Sequence, residues 1–170
     1  MKYWNKPIQG TGSNSYFAFG YGYQSANFGA TTYLWDEMPD AVGFSNIPVA
    51  TLLYHCAVGV EMSFAPDGSG SNGMQAQNAF VNYFSYPGAT YVQKDNYGNT
   101  AWENLLKAQL DNGVPMYYSG SGTDVGHAWN CDGYQGTNYF HFNLGWSGHY
   151  NGYYYLNSIV PAGISYTYSQ

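Results

Sequence analysis

From Val125 to Asn157 the apolar residues fall into three short runs separated by polar, glycine-bearing connectors. The first run, Gly126-His127-Ala128-Trp129-Asn130-Cys131, ends at Asp132-Gly133. Gln135-Gly136-Thr137-Asn138 then leads into Tyr139-Phe140-His141-Phe142-Asn143, and after a Gly-rich loop comes Gly152-Tyr153-Tyr154-Tyr155-Leu156. Runs of this length and aromatic content, joined by short turns, predict an antiparallel meander. The first strand opens with His127, and the second ends at Asn143, followed by Leu144-Gly145-Trp146. Neighbouring antiparallel strands can set a His and an Asn side by side, so this strand order predicts a His127–Asn143 contact.

Upstream the periodicity changes. Met1 to Asn5 reads as the tail of a helix, and Gln9 to Ala30 alternates weakly, predicting two short strands about a turn. Asn46 to Val58 predicts a helix with Ser45 or Asn46 as its cap, Pro48 in its first turn and Gly59 as its stop. Val60 to Phe64 alternates and predicts a short strand. Two more helices are expected over 73–84, with Met74, Ala76, Phe80, Val81 and Phe84 inward, and over 100–110, with Ala101, Trp102, Leu105, Leu106 and Leu110 on one face. Pro115 to Ser119 predicts a strand, and Gly120 to Asp124 a flexible loop just before His127. Helices first and a strand meander afterwards is an α+β arrangement, and 170 residues fit a single domain spanning 1–170.

Charge narrows the function classes. Four lysines, no arginine and a net charge of −6 argue against nucleic acid and against anionic membrane surfaces. No run approaches the roughly 18 apolar residues of a membrane span, and Lys2-Tyr3-Trp4-Asn5 is no signal-peptide core. The Pro66 to Gly73 loop lacks the Lys-Ser/Thr of a phosphate loop, and Asn72 stands where a calcium loop needs Gly. His127, His141 and His149 have no zinc-ligand spacing, so no metal or other cofactor is expected. His141 reads as a core histidine, His149 as solvated, and His55 as a partly buried surface residue. Cys56 and Cys131 read as buried small hydrophobes. Asp132 is a second possible orienter of His127, though Asp-Gly more simply makes a turn.

Gly126-His127-Ala128, Asn143-Leu144-Gly145-Trp146-Ser147-Gly148 and the Gly-aromatic run that follows resemble, in order and spacing, the C-terminal half of streptopain-like (C10) cysteine peptidases. Upstream, Met1-Lys2-Tyr3-Trp4, Asn27-Phe28-Gly29 through Met38-Pro39, and Ala50 through Met62 follow that family's order too. The resemblance implies a papain-like fold, a polypeptide substrate and an extracellular setting. It also implies roles: His127 as general base and then acid, Asn143 as its orienter, Trp146 as a shield over that pair, and Gly120, Gly122, Val125 and Gly126 lining the cleft. It departs at Leu144, where the best-known relatives carry Trp. It also places the family's nucleophilic cysteine on a helix leading into Met1, so the nucleophile would come from an upstream Cys-bearing segment, which together with a propeptide is an expected partner. Cys131 cannot replace it, lying four residues beyond His127, about 13 Å along an extended strand. The expectation is that the chain by itself is inactive, with an aromatic groove open for the missing segment. The alternative is a non-catalytic, aromatic-rich module that binds protein or glycan, marked by exposed Tyr and Trp in one row.

Overall fold

Asn46 and Asn72 show how local chemistry sets the helices. Each stands in extended conformation just before a helix, and its side-chain oxygen accepts from the amide three residues on, Val49 at 2.9 Å and Gln75 at 3.0 Å. These caps satisfy amides that the first helical turn leaves without partners. The computed structural model describes residues 1–122 and 126–161, and the backbone of 167–168. Its helices are α1 (Ile47–Gly59), α2 (Gly73–Asn82) and α3 (Asn99–Asp111). Its strands are β1 (Ser13–Ala18), β2 (Gly22–Asn27), β3 (Met116–Ser121), β4 (Gly126–Gln135), β5 (Tyr139–Asn143), β6 (Gly152–Tyr155) and β7 (Thr167–Tyr168). They belong to two compact units, Met1–Tyr91 and Val92–Gln170.

In the first unit β1 and β2 form the expected hairpin, with Phe17 opposite Tyr23. Helices α1 and α2 and the chain around Phe28 enclose a core of Phe28, Tyr33, Trp35, Met38, Val58 and Phe84. Phe28 stacks on Tyr83 at 4.5 Å and meets Phe84 edge-on at 5.5 Å. Gly10 passes so close that a Cβ there would lie 2.8 Å from that of Phe28. The strand expected over Val60 to Phe64 is a correction. The amides of Val60 and Met62 turn back to the carbonyls of Cys56 and Ala57, and Glu61 takes a left-handed conformation, leaving only a Ser63–Gly70 bridge. Met74, expected inward, is exposed, because the buried stripe of α2 runs through Gly73, Ala76 and Ala79. His55 is buried rather than at the surface. Its Nδ1 meets the Tyr33 hydroxyl at 3.0 Å, and burial lowers its pKa.

The second unit is a five-stranded antiparallel sheet in the order β6-β5-β4-β3-β7 with α3 beside it. The β4–β5 ladder sets Cys131 opposite Phe142 and Asn130 opposite Asn143, and a bulge between Cys131 and Gly133 brings Gly133 opposite His141. Side chains alternate across a strand. Trp129, Cys131, Phe140, Phe142 and Leu144 therefore enter one core with Trp102 and Leu106 of α3 and with Tyr118. The Trp102 indole donates to the Tyr118 hydroxyl at 3.1 Å, satisfying a polar atom inside that core. Two sequence readings change here. The segment expected as a loop from Gly120 is still strand through Ser121, because Gly120 and Ser121 pair with both β4 and β7. His141 lies on the outer face, with Nδ1 2.5 Å from the Asp132 carboxylate, since the bulge turns that carboxylate toward it.

Phe142 is fully buried and Tyr153 is 42% exposed on the outer face. Phe142→Ala should cost about 3–5 kcal/mol in urea unfolding and Tyr153→Ala less than about 1 kcal/mol. Equal losses would show that the inner face of this sheet is not its core.

Candidate functional site

His127 is the second residue of β4, on the face that also carries Trp129 and Cys131. It is half-buried, at the end of the strand where β5 has already finished: Asn143, the last residue of β5, pairs with Asn130, three residues short of His127. Three residues of strand span about 10 Å, and an odd offset puts the two side chains on opposite faces. The ladder therefore cannot make them cross-strand neighbours, and the direct contact expected from strand order is not formed. Among the described residues the Asn143 side chain bonds instead to the Gly145 amide, its Oδ1 accepting at 3.1 Å.

What reaches His127 is the chain just after β5. The Leu144 carbonyl oxygen lies 2.8 Å from Nε2 of the ring. A carbonyl only accepts, so Nε2 carries the proton and Nδ1 is the basic nitrogen of the neutral ring. The Trp146 indole stacks on the imidazole, with centroids 4.8 Å apart and planes 27° apart, and Trp129 lies on the same strand face at 5.7 Å. Trp146 is thus placed against the ring itself.

The turn that achieves this has a local cause. Gly145 has a φ of 75°, Ser147 of 53° and Gly148 of 85°, so the chain reverses through left-handed positions immediately beyond the strand. Leu144 is fully buried and pins the start of the turn in the core. The Asn151 Oδ1 accepts from the Leu144 amide at 2.9 Å, and the His149 amide closes on the Trp146 carbonyl at 2.9 Å. Asn151 was not singled out by the sequence. Its signal is present only as one more Asn in a Gly-rich loop, and its bonding depends on how that loop folds back.

The other expected site residues are placed as follows. Gly120 is buried and pairs directly with His127, while Ser121 pairs with the exposed Gly126. A Cβ built at Gly126 would come no nearer than 3.9 Å to the Gly120 carbonyl. Gly122 follows the end of β3, and Val125 lies outside the described residues. His149 is exposed, and Asp132 is engaged with His141 rather than with His127. Among the described residues no cluster of His, Cys, Asp or Glu is arranged to hold a metal ion. None of the helices described is long and apolar enough to cross a membrane.

Known proteins are similar to this chain in sequence and in fold. Over 173 residues the chain is 30% identical to the thiol protease/hemagglutinin PrtT of Porphyromonas gingivalis, covering 96% of the chain and 20% of that protein. It is 25% identical over 178 residues to streptopain of Streptococcus pyogenes, again covering 96% of the chain but 44% of the relative. The chain thus spans less than half the length of these two relatives. Among solved structures, the active wild-type interpain A cysteine protease of Prevotella intermedia matches with a TM-score of 0.92 at 33% identity, over 99% of this chain and 75% of that one. A prointerpain A fragment from the same organism matches with a TM-score of 0.82 at 33% identity, over 90% and 52% of the two chains. The α+β arrangement is therefore that of papain-like cysteine proteases, and residues 1–154 match the Peptidase C10 family, to which this chain belongs.

Proposed function

We propose that this chain carries the histidine side of a cysteine endopeptidase site, with His127 as general base and then general acid. The observation that carries the reading is the ring held at Nε2 by the Leu144 carbonyl and covered by Trp146. In that state Nδ1 takes the proton of a thiol, producing a thiolate that attacks the scissile carbonyl of a polypeptide. The imidazolium then returns its proton through Nδ1 to the leaving amine, and a water activated in the same way releases the acyl group. Trp146 excludes water from the charged ring, and Asn143 supports it through the turn. Gly120, Gly122 and Gly126 line the approach, with little side-chain bulk to obstruct an extended substrate. An extracellular setting agrees with the few charges and the Tyr- and Asn-rich surface.

The thiol has to be one that the chain's two cysteines do not provide. Burial pushes Cys56 up to about 11 and Cys131 up to about 12, the Asp132 carboxylate adding to the latter. A nucleophilic cysteine needs the reverse shift. Both folded values lie above the ordinary thiol value of about 8.5, so the stability these groups contribute is fully present below that pH. It is lost as pH rises from there toward 11 and 12. At neutral pH both should react slowly with iodoacetamide in the folded chain and quickly in urea. Fast alkylation of folded Cys131 would return it to consideration as the nucleophile.

The function is tested by supplying a helix-borne cysteine segment, in trans or in one longer chain, and following turnover of casein. Turnover should appear with the segment and fall by roughly a thousandfold in His127→Ala. The chain alone should show none that iodoacetamide abolishes. Turnover that survives His127→Ala unchanged rejects the assignment.

A second reading, a glycan-binding face, is favoured by one row of rings on the opposite side of the sheet. Tyr155, Tyr139 and Tyr153 follow one another at centroid spacings of 4.7 and 5.5 Å, and His141 continues the row at 5.0 Å. Flat phenols with polar tips suit sugar rings. Replacing Tyr153 and Tyr155 together with Ala should lower retention on insoluble polysaccharide several-fold if this face binds glycan. Unchanged retention removes the reading.

A further inference from the structure

His127 needs a fixed ring, yet the residue its family order nominates for that task does not touch it. Asn143 faces the other way, and its Oδ1 accepts from the Gly145 amide. That amide belongs to the same peptide unit as the Leu144 carbonyl that accepts from Nε2. One rigid, planar peptide therefore stands between the two side chains, with Asn143 bonded to its N–H end and His127 to its C=O end. The preceding peptide is held as well: its N–H, that of Leu144, donates to Asn151 Oδ1 at 2.9 Å. The Leu144 side chain between them is fully buried.

We propose that the Leu144 backbone carbonyl orients His127, and that Asn143 and Asn151 are positioning residues that hold and polarise the two peptide units flanking Leu144. The inference deepens the reading of His127 as the acid–base residue and rests on it for its catalytic meaning.

Two physical reasons favour this arrangement over a direct carboxamide contact. A side-chain amide offers an acceptor on one edge and a donor on the other, so by turning over it can stabilise either ring tautomer. A backbone carbonyl has no donor, so only the Nε2–H form fits, and Nδ1 stays basic. Second, a hydrogen bond into the N–H of a peptide strengthens its carbonyl as an acceptor. Asn143 thus acts on the ring through four atoms of backbone without bringing a charge near it. Asn151 does not touch that peptide. It fixes the preceding one, so the carbonyl cannot swing as the turn flexes through its left-handed residues.

The test is nitrogen-15 NMR of the His127 ring in the folded chain, at about pH 8.5, above the ordinary histidine range. A through-hydrogen-bond coupling should join Nε2 to the Leu144 carbonyl carbon, and the Nε2–H tautomer should dominate. Asn143→Ala and Asn151→Ala should each cut the Nε2–H to Nδ1–H ratio by about three- to tenfold, the worth of one hydrogen bond. Asn143→Asp and Asn151→Asp keep the acceptor oxygen and should restore the ratio. Asn130→Ala, at the cross-strand partner of Asn143, should leave it unchanged. A coupling from Nε2 to the Asn143 carboxamide instead, or an Asn151→Ala ratio equal to wild type, overturns the proposal. Should an alanine variant fail to fold, the wild-type coupling still decides it. None of these readouts needs peptide turnover, so a chain without peptidase activity could pass this test, and an active one could fail it.

Discussion

The register of β4 against β5 is the constraint on which the second unit depends. Pairing Cys131 with Phe142 commits alternate residues of β5, and of β4 up to Cys131, to one apolar face, and a slip by one residue would turn Trp129, Phe140 and Phe142 out to water. The same parity carries His127 onto the inner face, where rings surround it, and Asn143 onto the outer one. The bulge after Cys131 then restores pairing, with Gly133 opposite His141, and lets Asp132 lean out to His141. A single register thus sorts four chemically capable side chains into one candidate site and one hydrogen-bonded surface pair.

The end of β5 poses a problem that the asparagines resolve. Where a strand stops, its backbone groups lose their ladder partners, and those near a core must be satisfied otherwise. Asn143 and Asn151 accept from two successive amides, and the Leu144 carbonyl finds the His127 ring. One of the hydrogen bonds that complete the turn is thus shared with the imidazole. This also accounts for Leu at 144 without loss of the aromatic cover, because the side chain there serves the core while Trp146 stacks on the ring.

The cysteines show the opposite use of burial. In the same core that holds His127's neighbours, Cys131 is shut away from water and beside a carboxylate, and both influences favour the thiol over the thiolate. The fold that fixes a histidine ring on one strand passivates a cysteine two pleats away. Reactivity here follows environment rather than residue type.

Much was legible in the sequence. Asn46 and Pro48 announce α1 by their own bonding preferences, the turn at Gln135–Asn138 announces a hairpin, and α3 shows its inward face in Trp102, Leu105 and Leu106. These are local properties, carried by neighbours within a few residues. The motif order around His127, Asn143 and Trp146 named the family before any geometry was known. What the sequence could not decide was register and reach. Val60 to Phe64 alternates like a strand but has no long partner, so helix-end hydrogen bonds claim it. Gly120 looks like loop but becomes strand because β4 and β7 flank it. His141 reads as core but lies outside, because it alternates with the buried Phe140 and Phe142 along β5, and the bulge in β4 sets only that Gly133 is its partner. The partner of His127 is set by register, which pairs Asn143 with Asn130 and brings the Leu144 carbonyl to the ring. Strand order brings two segments together, but only the ladder's phase fixes which atoms meet, and that phase is set by packing of side chains far apart in the chain.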